Sequence, residues 1–162
     1  MACIHQVAFA VLCLHKINIV YVDLKPSNVL VNQNPLRFAI MDFNGSTEAD
    51  SSQVLFRQSK GYTSSESMDS QMVGFSDDVF ALGATLYEVV TAQPSPFETR
   101  QDFARYHDVM SQAQVLMGRR MIAAAYSMSE MQLVWDMFVA MVAFVAQRTN
   151  LEKIVDVTAP YV

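Results

Sequence analysis

Apolar residues recur along this chain at the spacings that mark secondary structure. Over residues 1–16, Ile4, Val7, Ala8, Val11, Leu12 and Leu14 fall near a 3.6-residue period, which predicts an amphipathic helix. A short β-like run, 17–20, follows. Next comes a polar loop, Asp23 to Asn28, in which Pro26 forbids a regular strand. Val29 to Val31 reads as a short strand, 32–35 as a turn, and Phe38 to Met41 as a second strand with Asp42 directly after it. Residues 44–65, rich in Ser, Thr, Gly and Asp, predict a long loop, a feature usually tied to function or mobility. From Asp78 to Thr91 apolar residues cover nearly every face, so this helix should be buried all round, and Pro94 and Pro96 end it. A weaker pattern over 100–118 predicts one or two helices. Residues 129–146 read as a strongly apolar helix with Trp135, Met137, Phe138, Met141, Val142 and Phe144, and 150–157 as a last helix capped by Asn150. The pattern describes one mostly helical domain over residues 1–162, carrying a small hairpin.

Composition agrees and narrows the function. A chain of 162 residues with 52% hydrophobic and 17% charged residues is too apolar for disorder and can bury a core without staples. A net charge of -5, with Arg119–Arg120 the one close cationic pair, argues against general binding to nucleic acid or anionic membrane. The apolar stretch Phe138 to Ala146 falls short of the about 20 residues a membrane span needs. The N-terminal run lacks the basic flank and cleavage pattern of a leader, so the expectation is a cytoplasmic chain with no membrane span. Cys3 and Cys13 lie on one predicted helix, about 15 Å apart along its axis, too far for a disulfide. Both are expected as buried, reduced thiols. His5, His15 and His107 do not cluster and read as surface or satisfied core residues. The helical spacing of Met128, Met131, Met137 and Met141 favours core packing over a docking groove, and Trp135 reads as buried.

The hairpin carries the candidate chemistry. Antiparallel pairing brings the residue before the first strand, Asn28, and the residue after the second, Asp42, to the same end. An amide oxygen and a carboxylate held there suit a hard cation such as Mg²⁺. Asp23 and Lys25 lie on the loop leading in. An acid, an ammonium and a metal pair are the parts that phosphoryl transfer uses. Read without further context, Asp23 and Asp42 could equally be turn or cap residues.

Tyr21-Val22-Asp23-Leu24-Lys25-Pro26-Ser27-Asn28 resembles the H-R-D-L-K-P-x-N catalytic loop of protein kinases, and Asp42-Phe43-Asn44 resembles their D-F-G metal motif. Tyr62-Thr63-Ser64-Ser65-Glu66 is similar to the Y-x-A-P-E end of the activation segment. Asp77 to Gly83 resembles the start of the central helix, and Arg148 falls where the family has the Arg that pairs with the motif Glu, here Glu66. The resemblance covers residues 1 to about 155. It implies the large lobe of a serine/threonine protein kinase, mainly α within an α+β family. By it, Asp23 orients the substrate hydroxyl, Lys25 contacts the transferring phosphate and ATP, and Asn28 and Asp42 hold Mg²⁺. Asp78 would brace the catalytic loop. The implied partner is a protein, as substrate or as binding partner.

The sequence also departs from the family pattern. Tyr21 and Val22 replace His and Arg, and Val22 cannot pair with an activation-loop phosphate. Ser51, Ser52, Ser59 and Thr63 remain phosphorylatable by type. Asn44 replaces the motif Gly, a position where Asn tolerates positive φ. Ser64-Ser65 replaces Ala-Pro, which removes stiffness more than chemistry. No Gly-rich loop, strand Lys or helix Glu precedes Met1, so the expectation is a truncated catalytic domain without its small lobe. The alternative reading is a pseudokinase-like binding module.

Overall fold

The computed structural model describes residues 1–49, 59–70, 72–143 and 145–161. Seven helices and two small antiparallel pairs of strands are present among them. Helix α1 (Ala2–His15) runs into β1 (Ile19–Val20), which pairs with β4 (Thr47–Glu48). Strands β2 (Val29–Gln33) and β3 (Leu36–Ile40) form the predicted hairpin, with Val29 opposite Ile40. Helices α2 (Ser65–Ser70), α3 (Phe75–Thr91), α4 (Arg100–Ala104), α5 (Tyr106–Ala123), α6 (Met128–Val142) and α7 (Leu151–Thr158) make up the rest. The fold is mainly α with a small β-hairpin, as the sequence predicts.

Helix α3 forms the centre of the core. Val79 to Tyr87 are all buried, and Phe80, Leu82 and Ala84 are wholly so. Burying one such large side chain stabilises the fold by about 1.5–3 kcal/mol. Helix α6 lies against α3 at Gly83, where a Cβ would sit 2.8 Å from Met141 Cβ and 2.9 Å from Val142 Cγ1. Any larger residue at position 83 would force the two helices apart. Helix α1 packs on α7 and on β3, and Gln6 Oε1 accepts from Phe38 N at 2.9 Å, which ties the hairpin to α1.

Local capping sets the helix starts. Ser127 Oγ accepts from Glu130 N while Glu130 Oε2 accepts from Ser127 N at 2.8 Å, a capping box that begins α6. Thr99 and Asp102 do the same for α4, and Asn150 Oδ1 accepts from Lys153 N at 3.0 Å to start α7, as predicted.

Several expectations are corrected. Both strands are longer than their apolar runs, because Asn32 and Gln33 pair across the ladder with Arg37 and Leu36, and the turn shrinks to Asn34-Pro35. Polar residues extend the pairing because this end of the hairpin faces solvent. Helix α3 begins three residues before Asp78, at Phe75, and is buried all round only to Tyr87, since Val89 is 54% exposed. The 100–118 region is two helices, and the second continues to Ala123. Helix α6 stops at Val142, while Phe144 lies outside the described residues. Within the predicted 44–65 loop, Thr47 and Glu48 pair with β1. Cys13 is exposed, because it falls on the outer face of α1, and Cys3 is half-buried. Trp135 is half-buried rather than buried, and Met128 is exposed at the start of α6. Among the described residues no helix is long and apolar enough to cross a membrane.

Candidate active site

The loop before β2 is fixed from below by a buried carboxylate. Asp78, with no exposed surface, accepts from Tyr21 N at 2.8 Å and from Val22 N at 2.7 Å. Its Oδ2 also lies 2.8 Å from His15 Nε2. These bonds hold Val22 at φ 76°, a left-handed conformation that a β-branched residue rarely adopts. Such strain costs about 1–3 kcal/mol and persists only where the surroundings over-determine it. The sequence resemblance assigned Asp78 this brace, and the contacts are those of a brace. His15, read from sequence as a surface or satisfied core residue, is satisfied by this carboxylate and is part of the brace.

Tyr21 occupies the place of the family's His. It is fully buried, its ring meets Phe43 edge-on at 5.4 Å, and its hydroxyl donates to the Met41 carbonyl. Burial, then the charges of Asp23, Asp42 and Asp78, push the phenol up to about 12. It therefore stays protonated and keeps donating. Tyr21 thus links the catalytic loop to the segment that carries Asp42.

The fixed loop ends in a short 3₁₀ turn, Pro26–Asn28, that brings Asp23, Lys25 and Asn28 together. Lys25 Nζ lies 3.0 and 2.8 Å from the two Asp23 carboxylate oxygens. Asn28 Nδ2 donates to the Asp23 carbonyl at 2.8 Å and to Asp23 Oδ2 at 3.0 Å. Both partners can only accept, so the amide orientation is fixed and Oδ1 is turned away from Asp23. Ser59 completes the cluster: its hydroxyl donates to Asp23 Oδ1 at 2.6 Å and accepts from Lys25 Nζ at 2.8 Å. Burial alone would raise the Asp23 carboxyl. The hydrogen bonds from Lys25, Ser59 and Asn28, with the Lys25 charge, outweigh it and hold the group below its ordinary value. Asp23 is therefore an ionised acceptor with a cation beside it.

Asp42 sits apart from this cluster. Met41 N donates to the Asn28 carbonyl at 2.9 Å, so the strand ends are tied and Asn28 and Asp42 share one end of the hairpin, as predicted. Asp42 is itself left-handed (φ 61°) and exposed, and its Oδ1 accepts from Asn44 N at 3.4 Å. The positive φ thus falls at Asp42 and not at Asn44, which sits in a 3₁₀ turn, Phe43–Gly45, needing no glycine. One amide oxygen and one exposed carboxylate fit Mg²⁺, which takes one or two protein oxygens and completes its shell with water and phosphate oxygens.

Beyond the cluster, the segment 59–67 is fastened to the rest of the chain at further places, one of them the pair of Lys60 Nζ with Glu98 Oε2 at 2.6 Å. Tyr62 donates its hydroxyl to Glu88 Oε2, and its phenol is raised, first by burial and then by that bond. Glu66 Oε2 lies 3.1 Å from Arg148 Nη2, the predicted ion pair, with the Arg side chain 2% exposed and the Glu 31%. Arg148 also donates to the carbonyls of Ala143 and Ser76. Ser64 and Ser67 both reach Asp77. Of the phosphorylatable residues singled out from sequence, Ser51 and Ser52 lie outside the described residues. Thr63 is buried and Ser59 is engaged with Asp23. Sequence reasoning missed Ser59 as a site residue. Its partner is 36 residues away, and nothing distinguishes it from the other serines of its stretch.

Fold, loop and hairpin together define a class, and comparison with known proteins agrees. The protein kinase domain model matches residues 1–154, and this chain belongs to the protein kinase family. It is similar to the cAMP-dependent protein kinase catalytic subunit of Dictyostelium discoideum, 31% identical over 106 residues, covering 65% of this chain and 16% of that protein. Rhodopsin kinase GRK1 of Rattus norvegicus is 39% identical over 93 residues, covering 54% of this chain and 16% of the relative. The human serine/threonine-protein kinase Sgk2 is 30% identical over 122 residues, covering 74% of this chain and 33% of the relative. The chain therefore spans a third or less of the length of these relatives.

Proposed function

We propose that this chain is the large lobe of a serine/threonine protein kinase and supplies the groups that move a phosphoryl from ATP to a protein hydroxyl. The observation that carries this reading is the ionised Asp23, held by Lys25, Ser59 and Asn28 on a loop braced by Asp78. Asp23 orients the incoming hydroxyl and takes its proton as the new phosphorus–oxygen bond forms and the bond to the leaving ADP oxygen breaks. Lys25, already 2.8 Å from Asp23, offsets charge on the transferring group. Asn28 and Asp42 would hold Mg²⁺, which would offset the charge on the phosphates. Lys25 favours the serine/threonine branch, and the name of the human relative, serine/threonine-protein kinase Sgk2, points the same way.

The test is transfer of labelled phosphate from Mg-ATP to a protein substrate by the purified protein. Asp23→Asn should lower kcat by roughly 10²–10⁴ with the fold intact. Asp42→Asn should abolish the metal-dependent transfer, and full activity in that variant overturns the metal assignment. No transfer by the unmodified protein, with Mg-ATP or a protein partner still bound, assigns the chain to the binding-module reading instead.

A further inference from the structure

Ser64 and Ser65 stand where the family carries Ala-Pro, yet the end of the segment is firmly held. Ser64 has no exposed surface and donates its hydroxyl to Asp77 Oδ1 at 2.5 Å. Ser67, 2% exposed, has its hydroxyl 2.6 Å from the same oxygen and 2.7 Å from the Met72 carbonyl, which share its one proton. Asp77 Oδ2 accepts from Gly74 N at 2.7 Å, and Ser64 Oγ accepts from Ser67 N at 3.2 Å. One carboxylate in the first turn of α3 thus takes two buried hydroxyls from the segment besides its own cap. Hydrogen bonds to an ionised acceptor are roughly twice as strong as neutral ones.

Helix capping explains only the bond to Gly74 N. It does not call for two serine hydroxyls converging from the preceding segment. That segment also touches the reacting groups, since Ser59, five residues before Ser64, bridges Asp23 and Lys25. Among the described residues Asp77 makes no hydrogen bond to Asp23 or Lys25; its side chain reaches them through the segment that carries Ser59.

We propose that Asp77 is a positioning residue: through Ser64 and Ser67 it fixes residues 59–67 so that Ser59 stays on Asp23 and Lys25. The clamp supplies by hydrogen bonding the stiffness that proline gives at this place in relatives. The inference rests on the reading of Asp23 and Lys25 as reacting groups, but its test does not require phosphoryl transfer.

Ser64→Ala/Ser67→Ala leaves the bond from Gly74 to Asp77 in place and removes both ties to Asp77, together with the bonds from Ser67 N to Ser64 Oγ and from Ser67 Oγ to the Met72 carbonyl. Amide hydrogen exchange over 61–67 should quicken by about tenfold, the size expected from losing a stabilising hydrogen bond or two. The Lys25 ammonium resonance should shift, while exchange in α1 and α6 stays unchanged. Adding Ser65→Pro should restore protection, because Ser65 is the first residue of α2, a position that accepts proline. Ser64→Ala alone should give a smaller effect in the same direction. Unchanged exchange and an unchanged Lys25 signal in the double variant overturn the proposal. So does loss of protection spread equally over α6, or failure of Ser65→Pro to restore it. An inactive protein that passes these tests sinks the catalytic reading and leaves the clamp standing.

Discussion

Asp23 and Asp42 lie on two sides of one site and are held in contrasting ways. Asp23 has contacts from three side chains, on a loop whose backbone is bonded to a fully buried Asp78. Asp42 is exposed, accepts one long bond from Asn44 N, and has Phe43 beside it at 50% exposure. The hairpin leading to it also presents Leu30, Val31 and Leu36 to solvent. On the proposed reading, the proton-accepting side is organised within the described chain, and the metal side offers ligands whose final geometry its occupants would complete. That division suits the chemistry, since a base must be oriented before its substrate arrives, whereas Mg²⁺ brings a shell of its own.

The largest expected effect comes from making the ordered side resemble the loose one. Asp78→Asn keeps one oxygen and presents an amide N–H₂ to one of the two backbone N–H groups, of Tyr21 or Val22, that now face a carboxylate. Orphaning a buried donor costs about 1–3 kcal/mol, so a loss of about 2 kcal/mol is expected. Urea denaturation measures it, and a change under about 1 kcal/mol would mean that Asp78 is not the brace. The next effect sharpens the loose side. Mg-ATP at ten times its dissociation constant should slow amide exchange over 42–45 by about tenfold. It should leave 21–24 nearly unchanged. Equal protection of both segments would erase the contrast. A smaller effect belongs to the segment between them. Glu66→Gln should cost about 1 kcal/mol, less than a buried pair would, because Glu66 is 31% exposed and its ion pair is partly screened. Thermal unfolding reads that change.

The parts of this arrangement that sequence exposes are those whose information is local. Asp23, Lys25 and Asn28 lie within six consecutive residues, and the hairpin that carries Asn28 to Asp42 follows from two short apolar runs with a turn between them. The helices were legible because their apolar period is long and their caps sit beside them. What was hidden depends on distant partners. His15 meets Asp78 across 63 residues and Ser59 meets Asp23 across 36, and neither residue type signals a partner by itself. Strand β4 has only two residues, too few for any period to show, and exists because β1 offers a backbone to pair with. The clamp at Asp77 was masked by a reasonable local reading, in which Ser64-Ser65 only loses stiffness. Its hydroxyls recover by hydrogen bonding what the missing proline would have supplied by covalent restraint.

The smallest effect is a pH dependence with a definite sign. Asp23 is held below the ordinary carboxylate value in the folded chain, so the unfolded chain binds its proton more readily. Its contribution to stability is complete above the unfolded value, about pH 4, and is lost as pH falls through the lower folded value. Asp102 is likewise held low: burial raises it, but bonds from Thr99 and Glu98 and the Arg105 charge outweigh that. Stability should therefore fall in acid for both reasons. Asp23→Asn should flatten the fall without abolishing it, leaving the share due to Asp102. The urea midpoint followed from neutral pH into acid, in the unmodified protein and in Asp23→Asn, measures the difference. Parallel curves would mean that the Lys25, Ser59 and Asn28 contacts do not favour the ionised carboxylate. The contrast between an organised Asp23 and an open Asp42 would then be one of packing alone.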